Sequence, residues 1–308
     1  MTRPKIILDC DPGHDDAVAI LLAAQHCDVL AITTVSGNAP LALTTENALL
    51  MCQLAGLDIP VHAGADRPLL VPAAYAPRAH GATGLDGPPR PELHRSVTST
   101  DAIGCIIKTV RAHDDVWLVP VGPLTNIALA FRQAPDIVER IAGVSLMGGA
   151  IGPGNVTPTA EFNIWADPHA AQIVFAAGAP LVRMAGLNLT HQLCVGPTET
   201  AALRDHGGTV SAFVADLFDF YLAGYRERAG LEAAPMHDPC AVLAVTRPDL
   251  FTFTARRVDV ETDGTLTRGM TVADERPGTD ASPNCEVAVN IDASPALELI
   301  VEAVCSYR

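Results

Sequence analysis

Short runs of β-branched and other apolar residues alternate with helical patterns along the first half of the chain. Residues 5–9 (KIILD) and 29–35 (VLAITTV) are predicted to be buried strands, and residues 15–26 and 41–55 have the periodicity of helices. An order of strand, helix, strand, helix is typical of a mainly parallel sheet with helices on both faces. The sequence therefore predicts an α/β fold of Rossmann-like architecture.

The remainder of the chain continues this pattern. Further strands are predicted at 116–121, 144–147, 180–184, 256–260 and 285–291, and further helices at 100–112, 124–133, 210–228, 239–245 and 295–304. No repeat, low-complexity tract or shift in composition divides the sequence, so we expect one domain over residues 1–308. Residues 68–91 carry six prolines and are predicted to form a long irregular loop, which is either functional or a tolerated surface insertion.

The charge balance excludes several classes of protein. The chain has 20 Lys and Arg residues against 35 Asp and Glu residues, a formal net charge of −15, which would repel nucleic acid and anionic membranes. Its longest apolar run, 17–24, is too short to span a bilayer, and we find no signal peptide before Asp9. Eight cysteines without C-x-x-C spacing predict reduced thiols and no zinc site. We therefore expect a soluble, cytoplasmic protein.

Four carboxylates lie at the carboxyl end of the first predicted strand, in the segment DCDPGHDD at 9–16. Ligands of open α/β sheets bind at this edge, and crowded anions repel one another unless a cation lies among them. Pro12 and Gly13 end the strand, so Asp15 and Asp16 enter the first turn of the next helix. Helix capping explains one or two of the carboxylates but not their crowding around Asp11. Oxygen ligands favour Ca²⁺ or Mg²⁺, so a divalent cation is expected here.

Polar segments at other predicted element ends offer further ligands. These segments are VSGN at 35–38, GPLTN at 122–126 and MHDP at 236–239, although each also suits an ordinary cap or turn. In the segment EFNIWADP at 161–168, an extended backbone would direct Glu161 and Asn163 into one cleft, where they suit a sugar. Asn155 on the preceding loop suits the same role, and Asp167 before Pro168 is predicted to begin a helix.

Taken together, these segments resemble the inosine-uridine preferring nucleoside hydrolases. The match rests, in the family's order, on DCDPGHDDAVAI at 9–20, VSGN, GPLTN, MGG at 147–149, EFNIWADP and MHDP. The resemblance implies the nucleoside hydrolase fold and Ca²⁺-dependent hydrolysis of purine and pyrimidine ribonucleosides to free base and ribose, in nucleoside salvage or catabolism. It also implies no organic cofactor and a homodimer or homotetramer.

The resemblance assigns roles to individual residues. Asp11, Asp16, the main-chain carbonyl of Thr125 and Asp238 would bind Ca²⁺, and Asp11 would also be the general base that activates a water. The residues assigned to the ribose are Asp15, Asn38, Asn155, Glu161, Asn163 and Asp238, with Met147 and Phe162 packed beside the sugar. Carboxylates around the sugar would stabilise the positive charge of an oxocarbenium-like transition state.

The leaving nucleobase would be served by two histidines and two tyrosines. His237 would donate a proton or a hydrogen bond to the base, and His80 matches a second family histidine near the substrate, which makes residues 70–91 a lid over the site. Tyr221 and Tyr225 resemble the tyrosine pair of broad-specificity members, whereas pyrimidine-specific relatives tend to carry glutamine at the second place. Tyrosines four apart are also ordinary packing, so pyrimidine specificity remains an alternative.

Two other functions are compatible with parts of the sequence. A Mg²⁺-dependent phosphotransferase or phosphatase also uses a D-x-D motif at a strand end, but no lysine or glycine-rich phosphate loop accompanies Asp9 and Asp11. A catalytically silent nucleoside- or sugar-binding protein would keep Glu161 and Asn163 but would not need Asp11 or the His237–Asp238 pair.

Overall fold

Eight strands form the central sheet of the protein in a computed structural model that describes residues 3–307. The ends of the predicted domain, residues 1, 2 and 308, lie outside the described residues. Counting two small pairs outside this sheet, residues 3–307 contain twelve strands: β1 (Lys5–Cys10), β2 (Asp28–Thr34), β3 (Val61–Ala63), β4 (Val116–Pro120), β5 (Gly143–Met147), β6 (Val182–Ala185), β7 (Cys194–Val195), β8 (Ala234–Pro235), β9 (Phe251–Arg256), β10 (Val258–Val260), β11 (Thr271–Ala273) and β12 (Cys285–Ile291).

Helices connect most of these strands. They are α1 (His14–His26), α2 (Leu41–Leu54), α3 (Pro77–His80), α4 (Ala102–Ala112), α5 (Thr125–Gln133), α6 (Phe162–Ala166), α7 (Pro168–Ala176), α8 (Leu187–Thr190), α9 (Pro197–His206), α10 (Thr209–Ala229), α11 (Pro239–Thr246) and α12 (Ala293–Cys305).

The central sheet has the order β3-β2-β1-β4-β5-β6-β12-β9. All its pairs are parallel except the edge pair of β12 and β9. Two small antiparallel pairs, β10 with β11 and β7 with β8, lie outside this sheet. A mainly parallel α/β sheet was predicted, and this prediction is confirmed.

Successive residues of β1 explain why its sequence is continuously apolar. Ile6 and Leu8 belong to one hydrophobic cluster, whereas Ile7 belongs to another. Because side chains alternate across a strand, these clusters lie on opposite faces of the sheet. Helices α1, α2, α10, α11 and α12 pack together on the first face, and α4, α5 and α7 pack on the second. The result is a three-layer sandwich.

The order of the strands creates a crevice beside β1. The chain runs outward from β1 to β2 and β3, and then returns to place β4 on the other side of β1. Loops that leave the carboxyl ends of β1 and β4 therefore diverge, and such switch points are where α/β sheets bind ligands. The segment 9–16 follows β1, and the segment 122–126 follows β4, so the fold brings both motifs to one place.

Three local predictions are wrong. The segment around Phe162 is helical rather than extended, since the side chain of Glu161 accepts hydrogen bonds from backbone N–H groups of the first turn of α6. Residues 256–260 belong to two strands in different sheets, because β9 ends at Arg256 and β10 begins at Val258. The loop 68–91 contains the short helix α3. Strands β3, β7, β8 and β11 and helices α3, α6, α8 and α9 were not predicted, and β9 overlaps the predicted strand only at Arg256.

Two further findings concern the chain as a whole. All eight cysteines are free thiols. Among residues 3–307, no helix is both long enough and apolar enough to cross a membrane.

Candidate active site

Asp11 is held at the end of β1 between two glycines. Its side chain is fully buried, and its Oδ2 accepts a hydrogen bond of 2.6 Å from the backbone N–H of Asn38. A Cβ added to Gly37 would lie 2.0 Å from Oδ2, and one added to Gly122 would lie 2.4 Å from Oδ1. Oδ1 itself has no hydrogen-bond partner among the described residues. The glycines of two predicted motifs therefore make room for one carboxylate, which keeps a free oxygen.

Three more aspartates lie beside Asp11. Asp15 and Asp16 occupy the first turn of α1, and Asp238 lies at the start of α11, where its side chain caps no backbone N–H. One carboxylate oxygen from each of the three lies within 4.8 Å of the others, and all three residues are at most 4% exposed. Asp16 is fixed by hydrogen bonds from the backbone N–H groups of Asp11 and Gly13, at 3.1 and 2.9 Å.

This cluster favours a bound cation. Burial is the largest cause that raises the pKa of each of the four carboxyls, and repulsion between neighbouring carboxylates raises it further for Asp11, Asp15 and Asp238. The pKa of Asp15 reaches about 8. A divalent cation would offset both the burial and the repulsion. The free Oδ1 of Asp11 and the Asp238 carboxylate, which makes no capping hydrogen bond, are hard oxygen ligands of the kind that Ca²⁺ or Mg²⁺ binds. The residues present therefore fit a metal ion.

Thr125, the remaining member of the predicted ligand set, is buried at the first position of α5. Its hydroxyl donates a hydrogen bond of 2.8 Å to Asp167, which also caps α7 as expected. The metal role of the Thr125 carbonyl stays a prediction.

Glu161 and Asn163 meet in one wall although their backbone is not extended. The Glu161 carboxylate accepts hydrogen bonds from the backbone N–H groups of Gly149, Asn163 and Ile164, at 2.8 to 3.1 Å. Burial raises its pKa to about 7, while these donors lower it. The amide of Asn163 donates to the carbonyls of Val121 and Met147, at 2.8 and 3.1 Å. Both side chains are thus fixed by backbone groups, those of the first turn of α6 and those that follow β4 or lie at the end of β5.

His237 is fixed through both of its ring nitrogens. The hydroxyl of Thr190, at the end of α8, lies 2.7 Å from Nδ1, and the hydroxyl of Tyr225 lies 3.1 Å from Nε2. Burial lowers the pKa of His237 to about 3, so the ring is neutral. Tyr221 packs edge-on against Tyr225, with ring centroids 5.0 Å apart. The tyrosine pair of α10 is therefore joined to the predicted proton donor.

One cavity of about 560 Å³ brings the predicted substrate contacts together. It is lined by every residue assigned to the substrate, namely Asp15, Asn38, His80, Met147, Asn155, Glu161, Phe162, Asn163, Tyr221, Tyr225 and Asp238, together with His237. Asp11, Asp16 and Thr125 are not among its lining residues. Asn155 is held by a hydrogen bond of 3.0 Å from the backbone N–H of Phe162 to its Oδ1.

Several residues at the cavity were missed from the sequence. Tyr75, Arg78 and Arg228 line it, and Arg228 also donates to the main-chain carbonyl of Arg78 and lies over the Tyr225 ring, 5.3 Å from its centroid. The segment 227–235 carried no motif that would have identified Arg228. Thr190 had no signal either.

Comparisons with known proteins agree on one family. Residues 6–298 match the family described as inosine-uridine preferring nucleoside hydrolase. The chain is 44% identical over 307 residues to the pyrimidine-specific ribonucleoside hydrolase RihA of Citrobacter koseri, with 98% of each chain covered. It is 43% identical over 310 residues to RihB of Escherichia coli, also called pyrimidine-specific, with 100% of this chain and 99% of that one covered. A solved purine-preferring ribonucleoside hydrolase from Gardnerella vaginalis superposes with a TM-score of 0.92 at 33% identity, with 98% of each chain covered.

Proposed function

From the premise that the chain belongs to the inosine-uridine preferring nucleoside hydrolase family and is an enzyme of that kind, we propose its substrates. It hydrolyses the N-glycosidic bond of both purine and pyrimidine ribonucleosides. The observation that carries the proposal is that two kinds of side chain line one cavity. They are carboxylates and amides that suit a ribose, which we call the sugar side, and His237 with the tyrosine pair, which we call the base side. This arrangement suits a substrate that is half sugar and half aromatic base.

We propose Ca²⁺ as the resident metal, held by Asp11, Asp16, Asp238 and the Thr125 carbonyl. When bound, the ion would lower the pKa of a coordinated water and attract ribose hydroxyls. The crowding of four buried carboxylates supports a divalent cation, and their oxygen chemistry favours a hard one.

On the sugar side, the protein's own residues bind, orient and take up a proton. Asp11 is the general base, since its Oδ1 lacks a partner among residues 3–307 and can accept a proton from the attacking water. Asp15, Asn38, Asn155, Glu161, Asn163 and Asp238 bind the ribose hydroxyls, and Met147 and Phe162 pack beside the sugar. The negative charge of Glu161 and its neighbours stabilises the positive charge that develops on the ribose as the glycosidic bond breaks.

On the base side, hydrogen-bond donors stabilise the leaving group. The electron pair of the broken bond stays on the base nitrogen, which then needs a proton or a donor. Because His237 is neutral, it serves the departing base as a hydrogen-bond donor rather than as an imidazolium. The proton that the base nitrogen finally takes up balances the one that Asp11 removes from the attacking water. His80 lines the same cavity and contributes a second donor.

Pyrimidine specificity is the second candidate, because both curated relatives described above are called pyrimidine-specific. The tyrosine at 225 favours the broad activity, since the resemblance places glutamine there in pyrimidine-specific members. A panel of inosine, adenosine, uridine and cytidine, assayed for released ribose with and without a chelator, tests both. Hydrolysis of uridine and cytidine alone would establish the second candidate, and intact nucleosides after long incubation would reject catalysis.

We further propose that residues 70–91 act as a lid, because Tyr75, Arg78 and His80 from this segment line the cavity. The free cysteines support a cytoplasmic location, where thiols stay reduced. A role in nucleoside salvage or catabolism and a homodimeric or homotetrameric state follow from the family resemblance. Light scattering on the purified chain tests the oligomeric state.

A further inference from the structure

Asp167 is a fully buried carboxylate that makes more hydrogen bonds than a helix cap needs. It caps α7 through Oδ1, which accepts a hydrogen bond of 3.1 Å from the backbone N–H of Ala170. Its Oδ2 accepts two more, 2.8 Å from the Thr125 hydroxyl and 2.9 Å from the backbone N–H of Leu69. A cap requires only one side-chain oxygen. The second oxygen therefore joins the start of α7 to two segments outside this helix.

One of these is the segment 122–126, which lies against the carboxylate of Asp11. A Cβ added to Gly122 would lie 2.4 Å from Oδ1 of Asp11, the oxygen that has no hydrogen-bond partner among the described residues. The segment continues into α5, whose first residue, Thr125, is 1% exposed. The contact between Thr125 and Asp167 is therefore made directly beside the proposed metal site.

Asn126, the next residue of this segment, is held from the opposite side. Its amide donates to Oδ1 of Asp9 at 2.7 Å and to the carbonyl of Thr34 at 3.0 Å. Its Oδ1 accepts a hydrogen bond of 2.9 Å from the backbone N–H of Ala65. These contacts tie the start of α5 to β1, to β2 and to the chain that follows β3, so the tie to α7 is made by the preceding hydroxyl.

We propose that Asp167 is a positioning residue for the metal site. Through the Thr125 hydroxyl, its Oδ2 fixes the first turn of α5, and with it the Thr125 carbonyl of the proposed Ca²⁺ ligand set. A main-chain ligand has no rotamers, so its place is set by whatever holds the backbone. Residues that contact a ligand residue but not the metal commonly orient the ligand in this way. The inference rests on the proposed function, because it takes its ligand set from there.

Three substitutions isolate this contact. Asp167→Ser keeps an oxygen that can cap α7 but is too short to reach Thr125. Thr125→Val keeps the shape of threonine without its hydroxyl, whereas Thr125→Ser keeps the hydroxyl. We expect the affinity for Ca²⁺, measured by calorimetric titration of the metal-free protein at one pH, to fall about tenfold in Asp167→Ser and in Thr125→Val, as for other partners of metal ligands. In Thr125→Ser it should stay within about threefold of the unaltered protein.

The double variant Asp167→Ser/Thr125→Val tests whether the two residues act through one contact. Each single change removes the same hydrogen bond, so the double variant should bind Ca²⁺ about as well as Asp167→Ser alone. Losses that add would overturn the proposal. The melting temperature of each metal-free variant measures structural damage separately. A lower melting temperature with unchanged affinity for Ca²⁺ would overturn the proposal too, since Asp167 would then stabilise the fold alone.

Asp101→Ser is the matched control, because Asp101 caps α4 with a hydrogen bond of 2.8 Å from the backbone N–H of Gly104. This variant should bind Ca²⁺ like the unaltered protein, and an equal loss in it would reject the positioning role. If Asp167→Ser does not fold, the two Thr125 variants decide, and equal affinities in Val and Ser would reject the role.

The same titrations separate this inference from the proposed function. An unaltered protein that binds no Ca²⁺ would reject the proposed ligand set and the inference together. Binding of Ca²⁺ that neither Asp167→Ser nor Thr125→Val weakens would reject the inference alone.

Discussion

The two sides of the cavity are built in different ways. The sugar side consists of carboxylates and amides at strand ends and in first helical turns. Its carboxyls Asp15, Asp238 and Glu161, like the neighbouring Asp11 and Asp16 that do not line the cavity, are at most 4% exposed. On the base side, His237 and Tyr221 are buried as well, but Tyr75 and Arg228, which also line the cavity and come from a loop and the end of a helix, are exposed. The first set is held by backbone hydrogen bonds and close glycines, and the second mainly by side-chain contacts.

This difference is what the proposed function would require of each side. Every ribonucleoside presents the same sugar, and charge stabilisation at a reacting centre works only when the charged groups are already fixed. Nucleobases differ in size and in their hydrogen-bonding atoms, so residues around them can vary without loss of the chemistry. We therefore expect changes on the sugar side to abolish all activity and changes on the base side to alter which nucleoside is cleaved.

The largest effect is expected at Asp11. Asp11→Asn keeps the size of the side chain but removes its negative charge and its basicity, so kcat should fall at least about 10³-fold for purine and pyrimidine nucleosides alike. Steady-state release of ribose from inosine and uridine measures this. Asp28→Asn, at the exposed start of β2, is the control that should keep full activity. A loss confined to one class of base would contradict a division between a sugar side and a base side.

Removal of the metal should also inactivate the enzyme toward all nucleosides, and the affinity for the metal should depend on pH. The pKa of Asp15 is about 8 in the metal-free protein against an ordinary value of 3.8. Between these values the folded protein holds a proton that the unfolded chain has released, so metal-free stability decreases as pH rises through this range. A bound Ca²⁺ beside Asp15 favours the ionised carboxylate, so its binding should release this proton and its affinity should rise by about tenfold per pH unit for one released proton, until about pH 8.

Calorimetric titration with Ca²⁺ at pH 6, 7 and 8 measures this affinity, and a melting temperature at each pH measures the stability. The gain in melting temperature on adding Ca²⁺ should increase with pH. An affinity that stays constant over this range would show that the carboxylates are already ionised without the metal.

The two sides were also unequally predictable from the sequence. The carboxylates of 9–16 are close in the chain and lie at the end of a strand that the sequence locates, so their convergence could be predicted from the sequence. Glu161 and Asn163 were correctly placed in one wall, but for the wrong reason, because α6 begins where an extended segment was expected. Contacts between distant segments, such as Thr190 with His237 and Arg228 with Arg78, leave no local pattern that a single sequence reveals.

A smaller and more selective effect is expected at His237. His237→Ala removes the group that contacts the Tyr225 hydroxyl, so kcat on inosine should fall about 10²-fold, as for loss of a general acid. Turnover of p-nitrophenyl riboside should fall far less, because its leaving group is stable as an anion. Comparison of the two substrates in one preparation provides the measurement. Equal losses on both would exclude His237 from the donor role and would place its effect on the sugar side.

The smallest effect is expected at Tyr225, and it tests the base side most directly. Tyr225→Gln removes the hydroxyl that contacts Nε2 of His237 and introduces the residue expected in pyrimidine-specific relatives. We expect kcat/KM for inosine to fall about tenfold, the cost of one hydrogen bond in the transition state, and that for uridine to change less than about threefold. Tyr225→Phe, which loses the hydroxyl alone, should reproduce the loss on inosine. If both variants lose uridine and inosine activity equally, Tyr225 serves a step that all nucleosides share, and base preference must arise elsewhere in the cavity.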